Sequence, residues 1–168
     1  ASAYHLHYGA NLMSFSVLPE DNSVTNLLSD MDISCIFGEG TSACYNEANG
    51  WMGNISDIQP NNGYWILTTQ DQILPVVGDD HIINSFNLNY GANLISYSCN
   101  QSGNLNELIT NESIIKIIGE GVAAIRNASG WAGSLGALDP GSGYWFISDA
   151  ETQLSYDCPE QSYEDSRE

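Results

Sequence analysis

The sequence predicts a mainly β protein: two homologous small antiparallel β units in tandem, each of about five strands and one short helix. Three observations carry that expectation. The chain repeats itself, because YGANLMSFS from Tyr8 to Ser16 returns as YGANLISYS from Tyr90 to Ser98, differing only at Met13/Ile95 and Phe15/Tyr97. Its polarity comes mostly from Asn, Ser, Thr, Gln and Gly, with charged residues at only 14%, which suits turns and hydroxyl-bearing strands better than long helices. Its apolar residues alternate with polar ones or fall in short runs between turn residues, the spacing of strands.

The repeat sets the organisation, and a repeat has to be found before any element is assigned. Gly-Glu-Gly at Gly38 to Gly40 recurs at Gly119 to Gly121. GWMGNISDIQPNNGYW from Gly50 to Trp65 recurs as GWAGSLGALDPGSGYW from Gly130 to Trp145. Small loop deletions account for the drift in offset. The divisions that follow are a first repeat over residues 1–78, a linker over 79–85, a second repeat over 86–158 and an acidic tail over 159–168.

Each unit opens with a strand. Tyr4 to Val17 alternates, placing Leu6, Tyr8, Ala10 and Leu12 on one side and His5, His7 and Asn11 on the other. Ser23 to Asp32 and Asn104 to Asn111 have the pattern of short helices, with Ser23 and Asn104 as N-caps. Apolar runs flank each Gly-Glu-Gly and predict a β-hairpin. The GW stretch then passes through a proline loop into the strands GYWILTT and GYWFISD, and a last short strand lies near Ile73 to Val77 and near Gln153 to Asp157. Most connections are too short for crossovers, so the pairing is antiparallel.

Cys35, Cys44, Cys99 and Cys158 form an even set without a CxxC pair, which points to disulfides and an oxidising compartment. Four cysteines allow three connectivities. Cys35 with Cys44, across the first hairpin, and Cys99 with Cys158 is the one that keeps both bridges within units. The chain opens Ala-Ser-Ala without Met, which fits a mature end left by removal of a signal peptide, and the expected location is secreted or cell surface.

Composition also excludes partners. Against 21 acidic residues stand only Lys116, Arg126 and Arg167, for a net charge of -18, so polyanions are repelled and nucleic acid is not an expected partner. No apolar run approaches the ~20 residues of a membrane span, so no membrane insertion is expected.

Reactive chemistry is sparse. His5 and His7 share a strand face, but the second unit has Asn87 and Asn89 there, and no third transition-metal ligand stands at a suitable spacing. Asp30, Asp32, Asp57 and Asp139 offer oxygens for calcium without an EF-hand spacing; no cofactor is expected otherwise. Glu39 and Glu120 recur in both turns and are the acids to weigh as a glycosidase pair, against the plainer reading of exposed turn residues. Asn54, Asn100, Asn111 and Asn127 begin N-x-S sequons. Trp51, Tyr64, Trp65, Trp131, Tyr144 and Trp145 could stack on sugar rings. The aliphatics retained between them, Ile55 and Ile58 against Leu135 and Leu138, say instead that most of the six close each unit's core.

The order YGANLxSxS, Gly-Glu-Gly hairpin and GW-to-GYW loop resembles a β-rich repeat of secreted and cell-surface bacterial proteins, in which GWNLIS precedes GYW. The first unit departs from it with Asn61 and Asn62 where the second has Gly141 and Ser142. The resemblance implies a structural motif without an activity. The expected function is therefore a non-enzymatic extracellular structural protein that self-assembles into a filament, matrix or surface layer. Its partners would be copies of itself, met by strand addition or through a docked tail. The alternative is a carbohydrate-binding or adhesive module that uses exposed aromatics on glycans.

Overall fold

The computed structural model describes residues 2–160; the acidic tail beyond Glu160 lies outside the described residues. The first unit contains β1 (Ser2–Leu6), β2 (Gly9–Met13), β3 (Val17–Leu18), α1 (Val24–Leu28), β4 (Ile33–Gly38), β5 (Thr41–Asn46), β6 (Gly50–Gly53), β7 (Tyr64–Thr68), β8 (Gln72–Val76) and β9 (Asp79–Asp80). The second contains β10 (Ser85–Leu88), β11 (Gly91–Ser96), β12 (Gly103–Asn104), α2 (Leu105–Leu108), β13 (Ile114–Gly119), β14 (Val122–Asn127), β15 (Gly130–Gly133), β16 (Ala137–Leu138), β17 (Gly143–Ser148) and β18 (Thr152–Ser155). The protein is mainly β, with two five-stranded antiparallel sheets of the same order: β2-β7-β4-β5-β6 and β11-β17-β13-β14-β15.

Each sheet folds over a core of its own, closed beneath by a two-stranded ribbon, β1-β8 or β10-β18. Phe15, Leu28, Ile36, Ile58, Ile66 and Leu74 are fully buried in the first core; Tyr97, Leu105, Ile109, Ile117, Phe146 and Leu154 are fully buried in the second. The short helices begin where a capping side chain takes an otherwise unpaired amide: Ser23 Oγ accepts from Asn26 N, and Asn104 Oδ1 accepts from Asn106 N.

The opening alternation is broken in a way that its spacing does not predict. Gly9 at φ +100° and Gly91 at φ +98° turn the chain between the ribbon strand and the sheet strand, a conformation that favours glycine. Side chains on the two sides exchange roles there. Tyr8, grouped by spacing with Leu6, is 72% exposed, and Asn11, grouped with the outward histidines, is buried. Asn11 holds the corner: Nδ2 donates to the carbonyls of His7 and Ile66, while Oδ1 accepts from His7 N. Asn93 does the same for Asn89 and Phe146.

Closure differs between the units. Cys35 joins Cys44 and Cys99 joins Cys158. Where the first unit has its disulfide, the second sets Lys116 directly opposite Ile125. Where the second is bridged by Cys99–Cys158, the first uses backbone: β3 pairs with β9, so Asp79 and Asp80 of the linker are strand residues. The chains approach so closely that a Cβ on Gly78 would lie 2.2 Å from the Leu18 carbonyl oxygen.

The second core also carries phenols. Tyr97 stands at the position of Phe15 and Tyr156 at that of Val76. Burial pushes the Tyr97 phenol up to about 12, helped by Tyr144 and Asp139, and burial raises Tyr144 and Tyr156 as well. A raised folded-state value favours the protonated form, so this stability is complete below the ordinary phenol range near 10 and is lost as pH rises through the folded value. The second unit is thus expected to unfold before the first between about pH 10 and 12, and Tyr97→Phe is expected to narrow the gap. Urea unfolding at pH 9 and near 11.5 checks it.

Candidate functional site

The feature that the fold builds twice is a reciprocal clasp between the units. In each hairpin turn, Gly40 at φ +70° or Gly121 at φ +71° takes the second loop position and leaves Glu39 or Glu120 at the first. Glu39 Oε1 accepts from Leu94 N of the second unit at 2.8 Å, and Glu120 Oε1 accepts from Leu12 N of the first at 2.8 Å. Leu12 and Leu94 lie on β2 and β11, the strands that start each sheet order. The amides therefore belong to strand edges without a neighbouring strand, and a carboxylate from the other unit takes each.

Backbone pairing completes the contact. Met13 bridges Ser142 and Asn62 bridges Ile95. Ser14 N donates to the Gly141 carbonyl at 2.9 Å, and Ser96 N donates to the Asn61 carbonyl at 3.2 Å. These bridges and backbone bonds are repeat-equivalent pairs, but Ser14 Oγ, which donates to the Ser142 carbonyl and accepts from Tyr97 N, has an unpartnered equivalent in the buried Ser96 Oγ. Gly63 and Gly143, which occupy the same position in the two units, touch: a Cβ on Gly143 would lie 3.2 Å from Gly63 Cα and 2.8 Å from the Met13 carbonyl oxygen. Self-contact of equivalent residues is the mark of a two-fold relation.

One arm carries more than the other. His7 Nε2 bonds Glu120 Oε2 at 2.5 Å, and His7 Nδ1 lies 2.9 Å from the Tyr8 carbonyl oxygen. The Tyr8 carbonyl and Glu120 raise the His7 imidazole above its ordinary value, so its contribution to the clasp fades as pH rises. The second unit has Asn89 in place of His7. Beside this arm is a cleft of about 320 Å³ lined by Tyr4, His5, His7, Asn11, Glu120 and Ser142, next to a Tyr4 hydroxyl that is buried without a hydrogen-bond partner.

The six aromatics weighed for stacking divide cleanly. Tyr64 and Tyr144 are buried, and their hydroxyls accept from Gln59 N and Asp139 N across the proline loops. Trp51 packs against the first core, edge-on to Tyr45. Trp131 packs against the second; its Nε1 donates to the Ile109 carbonyl, and the Arg126 guanidinium lies 4.5 Å from its ring centroid. Arg126 also donates to the carbonyls of Ile109, Ile114 and Asn111. It therefore ties the loop after α2 to the sheet, a role that sequence spacing did not suggest.

Trp65 and Trp145 stand on the opposite sheet face, half-buried. Their strand partners there are Leu12 and Phe37 in the first unit and Leu94 and Ile118 in the second. Farther along the same faces are Leu67, Met52, Ile147 and Ile125. Among these paired positions there is no carboxylate, and Lys116 is the one charge. The acids weighed for calcium are scattered instead: the Asp32 carbonyl binds Thr68, Asp57 bridges Ser23 and Asp139 Oδ1 accepts from Ser102. Among the described residues no three His, Cys, Asp or Glu side chains gather as metal ligands, and no helix is long and apolar enough to cross a membrane. No protein-family model, curated protein or solved structure matches the chain.

Proposed function

We propose that the chain is a non-enzymatic, extracellular structural protein that works by associating with copies of itself, as the subunit of a filament, matrix or surface layer. The observation that carries this reading is the clasp: two copies of one repeat already recognise each other through equivalent carboxylate and backbone contacts. A unit that presents both the edge and the carboxylate that covers it is self-complementary. The two disulfides suit an oxidising, extracellular setting. Simple strand addition at β2 and β11 does not fit, because those edges are occupied within the chain.

Sedimentation velocity across a wide concentration range, with calcium and with chelator, tests the reading. The expected result is a mass that rises with concentration above the 18.2 kDa of one chain. A single chain at every concentration and in both buffers would sink it. A carbohydrate-binding role is the second reading, and the outward placement of Trp65 and Trp145 favours it. In that case a polysaccharide pull-down captures the native chain and loses Trp65→Ala with Trp145→Ala, while far-UV circular dichroism is unchanged.

A further inference from the structure

We infer that the clasp also closes between copies: the first unit of one chain takes the second unit of the next, by exchange of whole units across the connector. This rests on the self-assembly reading and names its partner and its contact. Each unit has a separate core and its own disulfide, so exchange breaks no covalent bond and keeps each core within its own unit. The contact between units is made of the Glu39 and Glu120 bonds, the His7–Glu120 bond, the Met13–Ser142 and Asn62–Ile95 bridges, the backbone bonds of Ser14 to Gly141, Ser96 to Asn61 and Gly63 to Leu94, the Ser14 Oγ bonds to Ser142 and Tyr97 and the Gly63–Gly143 approach. All of these form equally well between two chains.

Only the connector distinguishes the closed form from the exchanged one. It is short and held at both ends: His81 N donates to the Ser16 carbonyl in the first unit, and Ile83 N donates to Ser98 Oγ in the second. Between them, Ile82 is exposed and serves as the hinge. Exchange that runs on from chain to chain leaves a first unit free at one end and a second unit free at the other, so the assembly grows without closing. A short connector hinged at Ile82 gives closure within one chain an effective concentration of order millimolar. Closed monomers therefore dominate in dilute solution, and exchange is favoured by crowding or by a connector too short to close.

The test places cysteines across the clasp, Met13→Cys with Ser142→Cys, in a mixture of isotopically light and heavy full-length chains. The chains are refolded from urea at about 1 mM, the regime in which exchange competes with closure, with the native disulfides intact, and are then oxidised. Asn62→Cys with Ile95→Cys is the second variant, in case the first does not fold. The expected result is a ladder on a non-reducing denaturing gel, with light–heavy cross-linked peptides at about half of the links between chains, and only single chains after refolding a thousandfold more dilute. At that dilution, deleting Ile82, which is exposed between the two anchored residues, is expected to raise the cross-chain fraction at least tenfold. Assembly by light scattering with every engineered link inside one chain overturns the exchange and leaves the self-assembly reading standing. Single chains by both measures at every concentration overturn both.

Discussion

Replacing Cys99 and Cys158 with alanine is expected to destabilise the second unit by about 4 kcal/mol, because a loop of about 60 residues loses its cross-link in the unfolded chain. The same substitution at Cys35 and Cys44 is expected to cost roughly 2.5 kcal/mol, because that loop is only about 10 residues long. The sequence separations of 59 and 9 set the order. Burial widens the gap: Cys99 is in the second core with Cys158 packed against it, so alanine also leaves unfilled space there. The first unit has β3 paired with β9 at the equivalent place and needs no bridge to hold its ends. A loss of about 4 kcal/mol is a large share of what keeps a small domain folded. The C99A/C158A chain should therefore show an early transition confined to the second unit. Urea unfolding of the two double variants, followed by hydrogen exchange of each unit, measures it. Equal losses would mean that packing, not loop closure, sets the value of the bridges.

The repeat made most of the fold legible. Two copies with matching apolar positions point to the hairpins and the short helices within each unit, because every position is checked against a second solution to the same packing problem, whereas the strand order of the sheets came only from the structure. Spacing alone failed at the corner before β2, where a glycine with positive φ resets the alternation. Asn11 and Asn93 then turn inward to satisfy backbone groups that a continuous strand would have paired. The retained Asn in YGANL was the available signal, and a polar residue shared by both copies on a strand deserved a backbone partner. The same holds for the clasp. Any polar residue can occupy the first position of such a turn, so Glu in both copies pointed to a task beyond the turn itself. That the task lies on the other unit was not legible, since periodicity describes one unit at a time. The aromatics were legible as a class, and only strand placement separated Trp65 and Trp145 from the four that close the cores.

The Glu39→Ala, Glu120→Ala double variant is expected to lose about 3 kcal/mol and to separate one thermal transition into two. Each deletion leaves the amide of a buried leucine without an acceptor, and a hydrogen bond to a charged group is worth about 1.5–3 kcal/mol, with partial exposure placing these at the lower end. The Glu120 side chain is 39% exposed, so water can reach the vacated amide and soften the loss. Glu120→Ala alone is expected to cost more than Glu39→Ala alone, because it also releases His7. Glu→Gln at both sites keeps a side-chain oxygen acceptor and should retain most of the stability, which separates the hydrogen bond from the charge. Gly143→Ala should act like the double variant without touching either carboxylate. Its Cβ meets the Met13 carbonyl oxygen and Gly63 Cα within the contact, close enough that backbone on one side must shift. Differential scanning calorimetry reads all five variants. If the units share no stability, the native chain already melts in two steps and the carboxylate deletions leave both unchanged. If the clasp couples them, the native chain melts once and each disruption of the contact lowers and divides that transition. The second outcome is the expected one, because cores as small as these gain a neighbour's surface only while the contact is closed.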